Sequence, residues 1–527
     1  MPDMEQAALD ADLHTLTDGK EAWARTSIAE RRAVLLEVKT ALMPVAAMWA
    51  ETAARHKRIP DGSPLVGEEW LSGPYALMQV CNELRKTLGQ MEGKRFLNRL
   101  KTRTTVTGQL AVRVTPQNAL DRIILSGITA EVWMQDGVSD LAANTANCYA
   151  QPPEMRKGKV ALVLGAGNIS SIAPLDCLHK LFTAHQVVLL KMNPVNDYLA
   201  DILRSALAPL ITRNALRIVT GGGETGAYLA THPLVDELHI TGSEATHDAI
   251  IWGPGETGRA NKAAGTPINT RRITSELGAV CPTIVVPGPW SAADIAFQAE
   301  HIATQKLHNS GFNCIACQML ILPEGWNKTE ALMDAVTGVL ATAARPAYYP
   351  GAGERLETFA ENAESITRIA RQTGPDILVA DVTNTEASYY YNTEIFAPAL
   401  STYRISQPDP AAYLEAAIAF ANTRLHGTLG ANILIHPATI RKIGKRRFEE
   451  IIATLHYGMI AINAWSGIGF AMSKCPWGAY PGHRLDDVQS GIGVVHNTFL
   501  FDRPERSVIT GPWRPFPRCL MHGELSL

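Results

Sequence analysis

Alternating strand-like and helix-like segments between residues 159 and 240 constrain the fold of this chain more than any other feature. Helical segments at residues 174–182 and 197–210 separate short apolar segments of the buried-strand type, which cover residues 159–164, 186–191, 216–219 and 237–240. Strands that are joined by helices pair in parallel through right-handed crossovers. The chain is therefore predicted to be an α/β protein built around a parallel sheet.

A second strand–helix unit begins near residue 279. Its first strand is predicted at residues 283–286, a helix at 292–308, and later strands at residues 319–322, 399–402 and 431–435. A chain of 527 residues is too long for one hydrophobic core, so two or more domains are expected. Ahead of these units, residues 5–100 have helical spacing and residues 104–115 alternate like β-structure. The Pro- and Trp-rich tail after residue 490 is predicted to be an irregular docked arm.

Charge and composition exclude several classes of function. The net charge of −3 predicts no nucleic-acid partner and no polybasic membrane-binding surface. The N-terminal sequence lacks a basic segment followed by an apolar one, and no run of about 18 apolar residues occurs. Neither an export signal nor a membrane-spanning helix is therefore expected. The eight cysteines are expected to be reduced thiols, and the predicted compartment is the cytoplasm.

A glycine-containing turn at residues 165–170 follows the first strand of the alternating region. Such a turn leaves backbone N–H groups free at a helix N-terminus, where a pyrophosphate can bind. Ser170 supplies the third small residue of the pattern, but the next strand ends in Lys191-Met192-Asn193-Pro194 without the usual acid. The chain therefore matches the dinucleotide-binding pattern in the turn that binds the phosphates. It does not match the pattern at the acidic residue that binds the ribose. A second glycine pattern at residues 221–226 fits a plain loop equally well.

Glu276 and Cys314 are the residues best suited to covalent chemistry. A thiol can attack a carbonyl carbon, and a nearby carboxylate can activate the water that later removes the product. Other interpretations stay open, since most cysteines are small buried fillers and Cys317 completes a C-x-x-C pattern that also occurs in redox pairs and zinc sites. No second C-x-x-C or spaced His pair supplies further ligands, so no metal is expected. The pair makes the chain a candidate for aldehyde chemistry.

These residues resemble motifs of the aldehyde dehydrogenase superfamily, in the same order, over residues 160–480. The matching segments are Asn168, Lys191, Thr220-Gly221, His232-Pro233, Thr241-Gly242-Ser243, Glu276-Leu277-Gly278, the N-x-G-x-x-C-x-A pattern (Asn309, Gly311, Cys314, Ala316), Glu394-Ile395-Phe396-Ala397-Pro398, Gly427, Leu429, Ala431 and Asn463. Each motif alone is weak, but their shared order is specific. Departures at Pro194, His247 and Phe312 indicate a divergent branch.

The resemblance implies a role for each site residue. Cys314 would attack the aldehyde, the Asn168 amide would help to stabilise the oxyanion, and Glu276 would activate the water that releases the acid. The cofactor-binding residues would be Lys191, Gly221, Thr241, Gly242, Ser243, Glu394 and Phe396. The cofactor would be NAD or NADP, because Pro194 replaces the acid that selects NAD in the family.

The substrate is less constrained than the chemistry. By analogy with the family, the residues that line the substrate tunnel are Ile169, Ala173, Asn313, Ile315 and Trp465. These mostly apolar side chains favour an apolar or aromatic aldehyde. The favoured function is NAD(P)-dependent oxidation of an aldehyde to a carboxylic acid. Two alternatives stay open: a CoA-acylating dehydrogenase or acyl reductase of the same superfamily, and a non-catalytic member.

The resemblance also implies a domain plan. Residues 1–130 and 157–278 are predicted to form a Rossmann-like dinucleotide-binding domain, and residues 279–489 an α/β catalytic domain. Residues 131–156 and 490–527 are predicted to form a small oligomerisation flap and a C-terminal arm. The expected partners are a small-molecule aldehyde and further copies of the chain, as a homodimer or homotetramer.

Overall fold

The computed structural model describes residues 3–371, 374–383 and 388–514. The strands are β1 (Lys101–Thr104), β2 (Leu110–Thr115), β3 (Thr129–Met134), β4 (Val160–Leu164), β5 (Val187–Lys191), β6 (Leu216–Val219), β7 (Glu237–Gly242), β8 (Arg272–Leu277), β9 (Pro282–Val285), β10 (Met319–Pro323), β11 (Ile366–Ile369), β12 (Ile377–Val382), β13 (Ala399–Ile405), β14 (Gly430–Leu434), β15 (Met459–Ile462), β16 (Gly491–Ile492) and β17 (Pro504–Thr510). The α-helices are α1 (Asp3–Ala24), α2 (Ile28–Leu42), α3 (Ala46–His56), α4 (Val66–Trp70), α5 (Ala76–Gly89), α6 (Ala119–Ile124), α7 (Ile172–Thr183), α8 (Ala200–Ala206), α9 (Ala208–Ile211), α10 (Gly223–Thr231), α11 (Glu244–Ile251), α12 (Gly255–Ala264), α13 (Ala292–Leu307), α14 (Thr329–Thr342), α15 (Ala352–Glu361), α16 (Ser388–Asn392), α17 (Pro410–Arg424), α18 (Pro437–Ile443), α19 (Lys445–Ala453) and α20 (Gly467–Met472).

The smaller of two sheets has six strands in the order β16-β8-β7-β4-β5-β6. Its five strands from β4 to β8 pair in parallel, as the strand–helix alternation predicts. β5 lies on one side of β4 and β7 on the other, so the winding of the chain reverses at the carboxyl end of β4. Doubly wound sheets bind ligands at such a point, and the glycine turn at residues 165–168 lies there.

The larger sheet has eleven strands in the order β1-β2-β3-β17-β15-β14-β9-β10-β13-β12-β11. Its central strands, from β15 to β12 in that order, are parallel. β9, β10 and β14 are mostly apolar and are buried at every position, as expected for parallel strands covered on both faces. The prediction of an α/β fold is confirmed, and the loop before β10 carries Cys314.

Two segments differ from the sequence-based plan. The plan assigns residues 101–130 to the dinucleotide-binding domain, but β1, β2 and β3 pair antiparallel within the larger sheet. The tail is predicted to be irregular, yet β17 pairs with both β3 and β15 and buries Val508 and Ile509. Residues 515–527 of the expected arm lie outside the described residues. The remaining domain boundaries and the homo-oligomer stay predictions.

One helical stretch, Ile28–His56, is long and apolar enough to cross a membrane by length and composition alone. The sequence analysis expects no such segment. Val34, Val38 and Trp49 of this stretch are buried in the main hydrophobic core, and an apolar core helix passes the same test. The absence of a membrane partner stays a prediction.

Candidate active site

Cys314 and Glu276 approach each other from different sheets. Glu276 is the penultimate residue of β8, and Cys314 lies in the loop between α13 and β10. The Cys314 thiol and the Glu276 carboxyl group lie near enough for each to affect the pKa of the other, and the Cys314 sulfur is 3.7 Å from Asn313 Oδ1. Glu276 is buried, whereas Cys314 keeps intermediate exposure. The structure therefore brings the predicted nucleophile and the predicted base together.

The turn that precedes Cys314 has an unusual backbone. Asn309 and Ser310 have left-handed φ angles of 52° and 59°, and Gly311 follows with a φ of 86°. A Cβ atom at Gly311 would lie 2.8 Å from the carbonyl oxygen of Ala397, so only glycine fits there. Non-glycine residues in this conformation cost about 1 kcal/mol or more each, and they persist only where surrounding contacts hold them.

Glu68 and Tyr348 supply such contacts, although the sequence analysis singles out neither. The Asn309 backbone N–H donates to the Glu68 carboxylate, which also accepts a hydrogen bond of 2.6 Å from Arg345 Nη1. The Tyr348 hydroxyl lies within donating distance of two oxygens, Asn309 Oδ1 at 3.0 Å and the Asn168 carbonyl at 3.2 Å. Burial alone would raise the pKa of Glu68, but Arg345 and the other donors hold it at about 2. Glu68 therefore stays charged and anchors the turn.

Asn168 lies beside the nucleophile turn. It follows β4, is buried, and donates from Nδ2 to the Phe312 carbonyl oxygen at 3.1 Å. A side-chain amide carries two hydrogen atoms, so this bond fixes the amide two residues before Cys314 and leaves one hydrogen for a ligand. That arrangement suits the stabilisation of a negative oxygen formed at Cys314.

The two reactive groups influence each other's protonation. Burial raises the pKa of Glu276 to about 7, against the opposing effect of Trp477, whose Nε1–H donates to Glu276 Oε1 at 3.0 Å. Burial, and then the charges of Glu276 and Glu394, raise the pKa of the Cys314 thiol well above its ordinary value. The thiol is therefore protonated at neutral pH, while a large fraction of Glu276 is ionised and can accept its proton.

Glu394 offers an unsatisfied polar atom next to this pair. Its Oε1 is buried and has no hydrogen-bond partner among the described residues. Its carboxyl group packs directly against Gly278, where any Cβ atom would collide with it. Burial and the charge of Glu276 raise the pKa of Glu394 to about 8. A buried carboxyl oxygen without a partner fits a ligand that supplies hydroxyl groups, as the ribose of a nucleotide does.

The other predicted cofactor residues lie at the carboxyl ends of neighbouring parallel strands. Lys191 ends β5 and is largely buried, which lowers its pKa. Gly221 has a φ of 137° and precedes α10. Gly242 ends β7, and the Ser243 hydroxyl caps α11 by accepting a hydrogen bond from Thr246 N. Helix N-termini at this edge of a sheet suit a pyrophosphate group.

Two of these cofactor predictions have unexpected surroundings. The Thr241 hydroxyl donates to buried Asp176 Oδ2 at 2.8 Å, so this hydroxyl is already bonded within the protein. Phe396 has a left-handed φ of 43° and packs against Phe312 and Tyr349, with ring centroids 5.8 and 5.1 Å apart. Aromatic side chains therefore surround this predicted cofactor-binding residue.

Most residues predicted to line the substrate tunnel lie around the nucleophile. Trp465 Nε1 donates to the Ile315 carbonyl oxygen at 3.4 Å. Asn313 Nδ2 lies 3.0 Å from His308 Nδ1, and the His308 ring is 4.7 Å from that of Trp465. These contacts place the aromatic Trp465 close to the two residues that flank Cys314.

The two remaining lining residues lie on α7 and the turn before it. Ile169 packs with Phe470, whose ring is 5.4 Å from that of Trp477, the partner of Glu276. Ala173 is fully buried. A Cβ atom placed on Gly165 would lie 2.8 Å from the Cβ atom of Ala173. Ala173 therefore packs beneath the glycine turn in the core.

The structure also bears on the other interpretations of the cysteines and on His247, one of the departures from the family motifs. Cys314 and Cys317 are both free thiols, and Cys317 is fully buried. Within the described ranges, no group of three or more His, Cys, Asp or Glu side chains could hold a metal ion. His247 is fully buried within α11, as expected for a packed helix residue.

Proteins of known family share sequence with this chain. Residues 188–345 match a model described as the aldehyde dehydrogenase family. N-succinylglutamate 5-semialdehyde dehydrogenase 1 of Caulobacter vibrioides is 24% identical over 336 residues, which span 63% of this chain and 56% of that relative, about half its length. N-succinylglutamate 5-semialdehyde dehydrogenase of Ectopseudomonas mendocina is 26% identical over 422 residues, 76% of this chain and 77% of that relative.

Solved structures share the fold. The crystal structure of a mutant of aldehyde dehydrogenase C from Pseudomonas syringae, in complex with NAD+ and octanal, superposes with a TM-score of 0.63. The match covers 97% of this chain and 90% of that protein, at 16% sequence identity. Structural similarity at this level of sequence identity establishes a common fold. The reaction has to be inferred from the residues of the site.

Proposed function

The chain belongs to the aldehyde dehydrogenase superfamily, and we propose that it oxidises an aldehyde to a carboxylic acid with NAD or NADP as the electron acceptor. The observation that carries the proposal is the convergence of three groups: the Cys314 thiol, the Glu276 carboxyl group that acts on it electrostatically, and the Asn168 amide that is bonded to the cysteine turn. A thiol near a base can form a covalent intermediate and later be released from it.

Attack begins with the removal of the thiol proton. The Glu276 carboxylate accepts the proton from Cys314, the sulfur bonds to the aldehyde carbon, and the carbonyl electron pair moves to the oxygen. That oxygen accepts hydrogen bonds from the second Asn168 Nδ2 hydrogen and from the Cys314 backbone N–H, in a site where little water competes. Asn168 is held for this task by its bond to the Phe312 carbonyl oxygen.

The Glu394 carboxyl group, Lys191 and the helix N-terminus at Ser243 would hold the dinucleotide. The chemistry that this cofactor would supply is acceptance of a hydride from the substrate carbon, and Cys314 would then hold the acyl group as a thioester. The residues around Glu394 contribute orientation: Gly278 lets its carboxyl group approach closely, and Arg355 Nε fixes the Phe396 carbonyl oxygen at 3.1 Å. Pro194 in place of an acid leaves room for NADP as well as NAD.

Hydrolysis completes the reaction at the same carboxylate. Glu276 first releases to solvent the proton that it took from Cys314, and its carboxylate then accepts a proton from water as the water oxygen bonds to the thioester carbon. The carbon–sulfur bond breaks to release the acid, and Glu276 returns its proton to the sulfur, which restores the Cys314 thiol. A general base near the nucleophile favours water as the acyl acceptor. The aromatic side chains of Trp465, Phe470 and Trp477 near the site favour an apolar or aromatic aldehyde.

A panel of aliphatic and aromatic aldehydes tests this function directly. The purified full-length protein is expected to reduce NAD+ or NADP+ in the absence of CoA, with the larger apolar aldehydes giving the higher kcat/KM. Turnover only when CoA is added would identify the acylating alternative. No turnover with any aldehyde, together with no binding of either dinucleotide by calorimetry, would identify a non-catalytic member.

Trp477→Phe is expected to shift the pH dependence of hydrolysis. The wild-type rate should fall on the acid side with a midpoint near pH 7, because the pKa of Glu276 is about 7 and only its carboxylate accepts a proton from water. Phenylalanine removes the N–H donor that stabilises the carboxylate. A hydrogen bond to a charged group contributes about 1.5 kcal/mol or more, so the midpoint should move upward by about one pH unit. The measurement is the steady-state rate across the neutral range, and an unmoved midpoint would contradict the assignment of Glu276.

A further inference from the structure

The side chain of Asn313 lies between the nucleophile and a histidine. Asn313 directly precedes Cys314, and its Oδ1 atom accepts a hydrogen bond from the Cys314 sulfur, which is 3.7 Å away. On its other side, Asn313 Nδ2 lies 3.0 Å from Nδ1 of His308, the residue that directly follows α13. One buried amide group therefore connects the reactive thiol to the His308 ring.

The backbone fixes the orientation of the Asn313 amide. The Ile315 backbone N–H donates to Asn313 at 3.2 Å, and the amide atom that accepts this bond has to be the oxygen. The amide NH2 group then faces His308 Nδ1. Because this NH2 group can only donate, His308 Nδ1 has to accept, and the proton of the neutral ring lies on Nε2. Burial lowers the pKa of His308 to about 4, so the ring is neutral at neutral pH and Nδ1 keeps its lone pair.

Glu68 and Trp465 hold the His308 ring in place. His308 Nε2 lies 3.4 Å from Glu68 Oε1, the oxygen that also accepts the Asn309 backbone N–H. The His308 ring centre is 4.7 Å from that of Trp465, whose Nε1 donates to the Ile315 carbonyl oxygen at 3.4 Å. Contacts therefore run from His308 to both residues that flank Cys314.

The Asn313 oxygen can fix the direction of the Cys314 side chain. Rotation about the Cα–Cβ bond of a cysteine places its sulfur in one of three staggered positions. An acceptor held at a fixed point favours the position in which the S–H group reaches it. Attack on a carbonyl carbon requires the reacting atoms to lie about 3 to 3.5 Å apart and in line. A sulfur that already occupies one position therefore reacts faster than one that samples all of them.

We propose that His308 is a positioning residue for the nucleophile and that it acts on the Cys314 thiol through the Asn313 amide. The inference rests on the proposed function, in which Cys314 attacks an aldehyde. His308 accepts a hydrogen bond from Asn313 Nδ2, and Asn313 Oδ1 holds the S–H group in the resting site. The S–H bond then turns toward Glu276, which takes the proton, while the sulfur stays where Asn313 placed it.

The surroundings of the His308 ring argue against a role as the base. Its Nδ1 is occupied by the Asn313 amide, and its Nε2 faces Glu68. Both nitrogen atoms of the ring therefore have a neighbour, and neither is left to take the proton of the thiol. The ring acts on Cys314 through Asn313.

His308→Phe tests this role, because phenylalanine keeps a ring against Trp465 and removes the acceptor that faces Asn313. The maximal rate of the NAD(P)H burst should fall about 10- to 100-fold, as expected when a reacting group is misplaced. The aldehyde concentration that gives half of the maximal burst rate should stay within a few fold of the wild type, and so should the Kd of the dinucleotide. Stopped-flow absorbance and calorimetry measure these quantities.

Two isosteric variants separate the acceptor from the shape of the side chain. In His308→Asn, the amide oxygen occupies about the position of Nδ1, and most of the burst rate should return. His308→Leu has the same shape without the oxygen and should stay slow. As a control, His301→Phe changes a buried histidine within α13 that contacts Gln298 Oε1, and it should keep the wild-type burst rate.

A double-mutant cycle shows whether His308 acts through Asn313. The Asn313→Ala burst should be slow, because the thiol loses its acceptor. Adding His308→Phe to this variant should slow the burst little further, since the contact between the two side chains is already lost. Losses that multiply in the double variant would mean that His308 affects the nucleophile by another route, and they would overturn the inference.

Two further results would overturn the role of His308. A wild-type burst rate in His308→Phe or His308→Leu would exclude it, and equal slowing in His308→Leu and His308→Asn would show that the acceptor is not what matters. If His308→Phe does not fold, the isosteric pair makes the same comparison. A wild-type protein without any NAD(P)H burst would instead contradict the proposed function, so the two failures are distinct.

Discussion

Cys314→Ala is expected to abolish hydride transfer. The sulfur forms the only bond to the substrate in the proposed reaction, and alanine cannot form it, so the burst and steady-state rates should both fall by about 10⁴-fold or more. The side chain is small and partly exposed, and the thermal midpoint should change little. Stopped-flow detection of NAD(P)H absorbance measures the loss, and dinucleotide binding by calorimetry should persist.

Cys317→Ala is the matched control for this experiment. Cys317 is fully buried and completes the C-x-x-C pattern. Removing its thiol should leave the burst within a few fold of the wild type. Equal losses in the two variants would instead support a redox pair, and activity retained in Cys314→Ala would remove this cysteine from the reaction.

Glu276→Gln is expected to separate the two halves of the reaction. Glutamine keeps the size of the side chain and can still accept the hydrogen bond from Trp477 Nε1, but it cannot take a proton from water. One equivalent of NAD(P)H per active site should form, more slowly than in the wild type because the thiol also loses its base. Hydrolysis should then fall about 10²- to 10⁴-fold.

The stalled intermediate can be identified directly. Mass spectrometry of the denatured variant should show one acyl group on the peptide that contains Cys314. Hydroxylamine attacks thioesters without needing a general base, so it should release the acyl group as a hydroxamate and restore turnover. A steady-state rate equal to that of the wild type would exclude Glu276 as the base that activates water.

Strands such as β4, β5 and β10 could be predicted because parallel strands carry continuous apolar runs. β17 could not be predicted, because the prolines and tryptophan around it favour irregular structure, whereas its strand character depends on pairing with β3 and β15. Long-range pairing of this kind leaves little local signal in a sequence.

Some residues of the site could likewise be predicted from the sequence, and others could not. Cys314, Glu276 and Asn168 could be assigned because they lie in short ordered motifs. Glu68 could not, because it acts from a helix far earlier in the chain, through an ion pair with Arg345. His308 could not either, because only the folded turn shows that its ring faces the Asn313 amide.

Glu276 lies in β8 of the smaller sheet, and Cys314 lies in the loop before β10 of the larger sheet. This separation has a consequence for thermal inactivation. The contacts that align them include the Asn168 amide on the Phe312 carbonyl and the Glu394 carboxyl group against Gly278. Each sheet is stabilised by its own ladder of backbone hydrogen bonds, which does not depend on these contacts. We therefore expect mild heating to lower the rate of hydride transfer before circular dichroism records any loss of secondary structure.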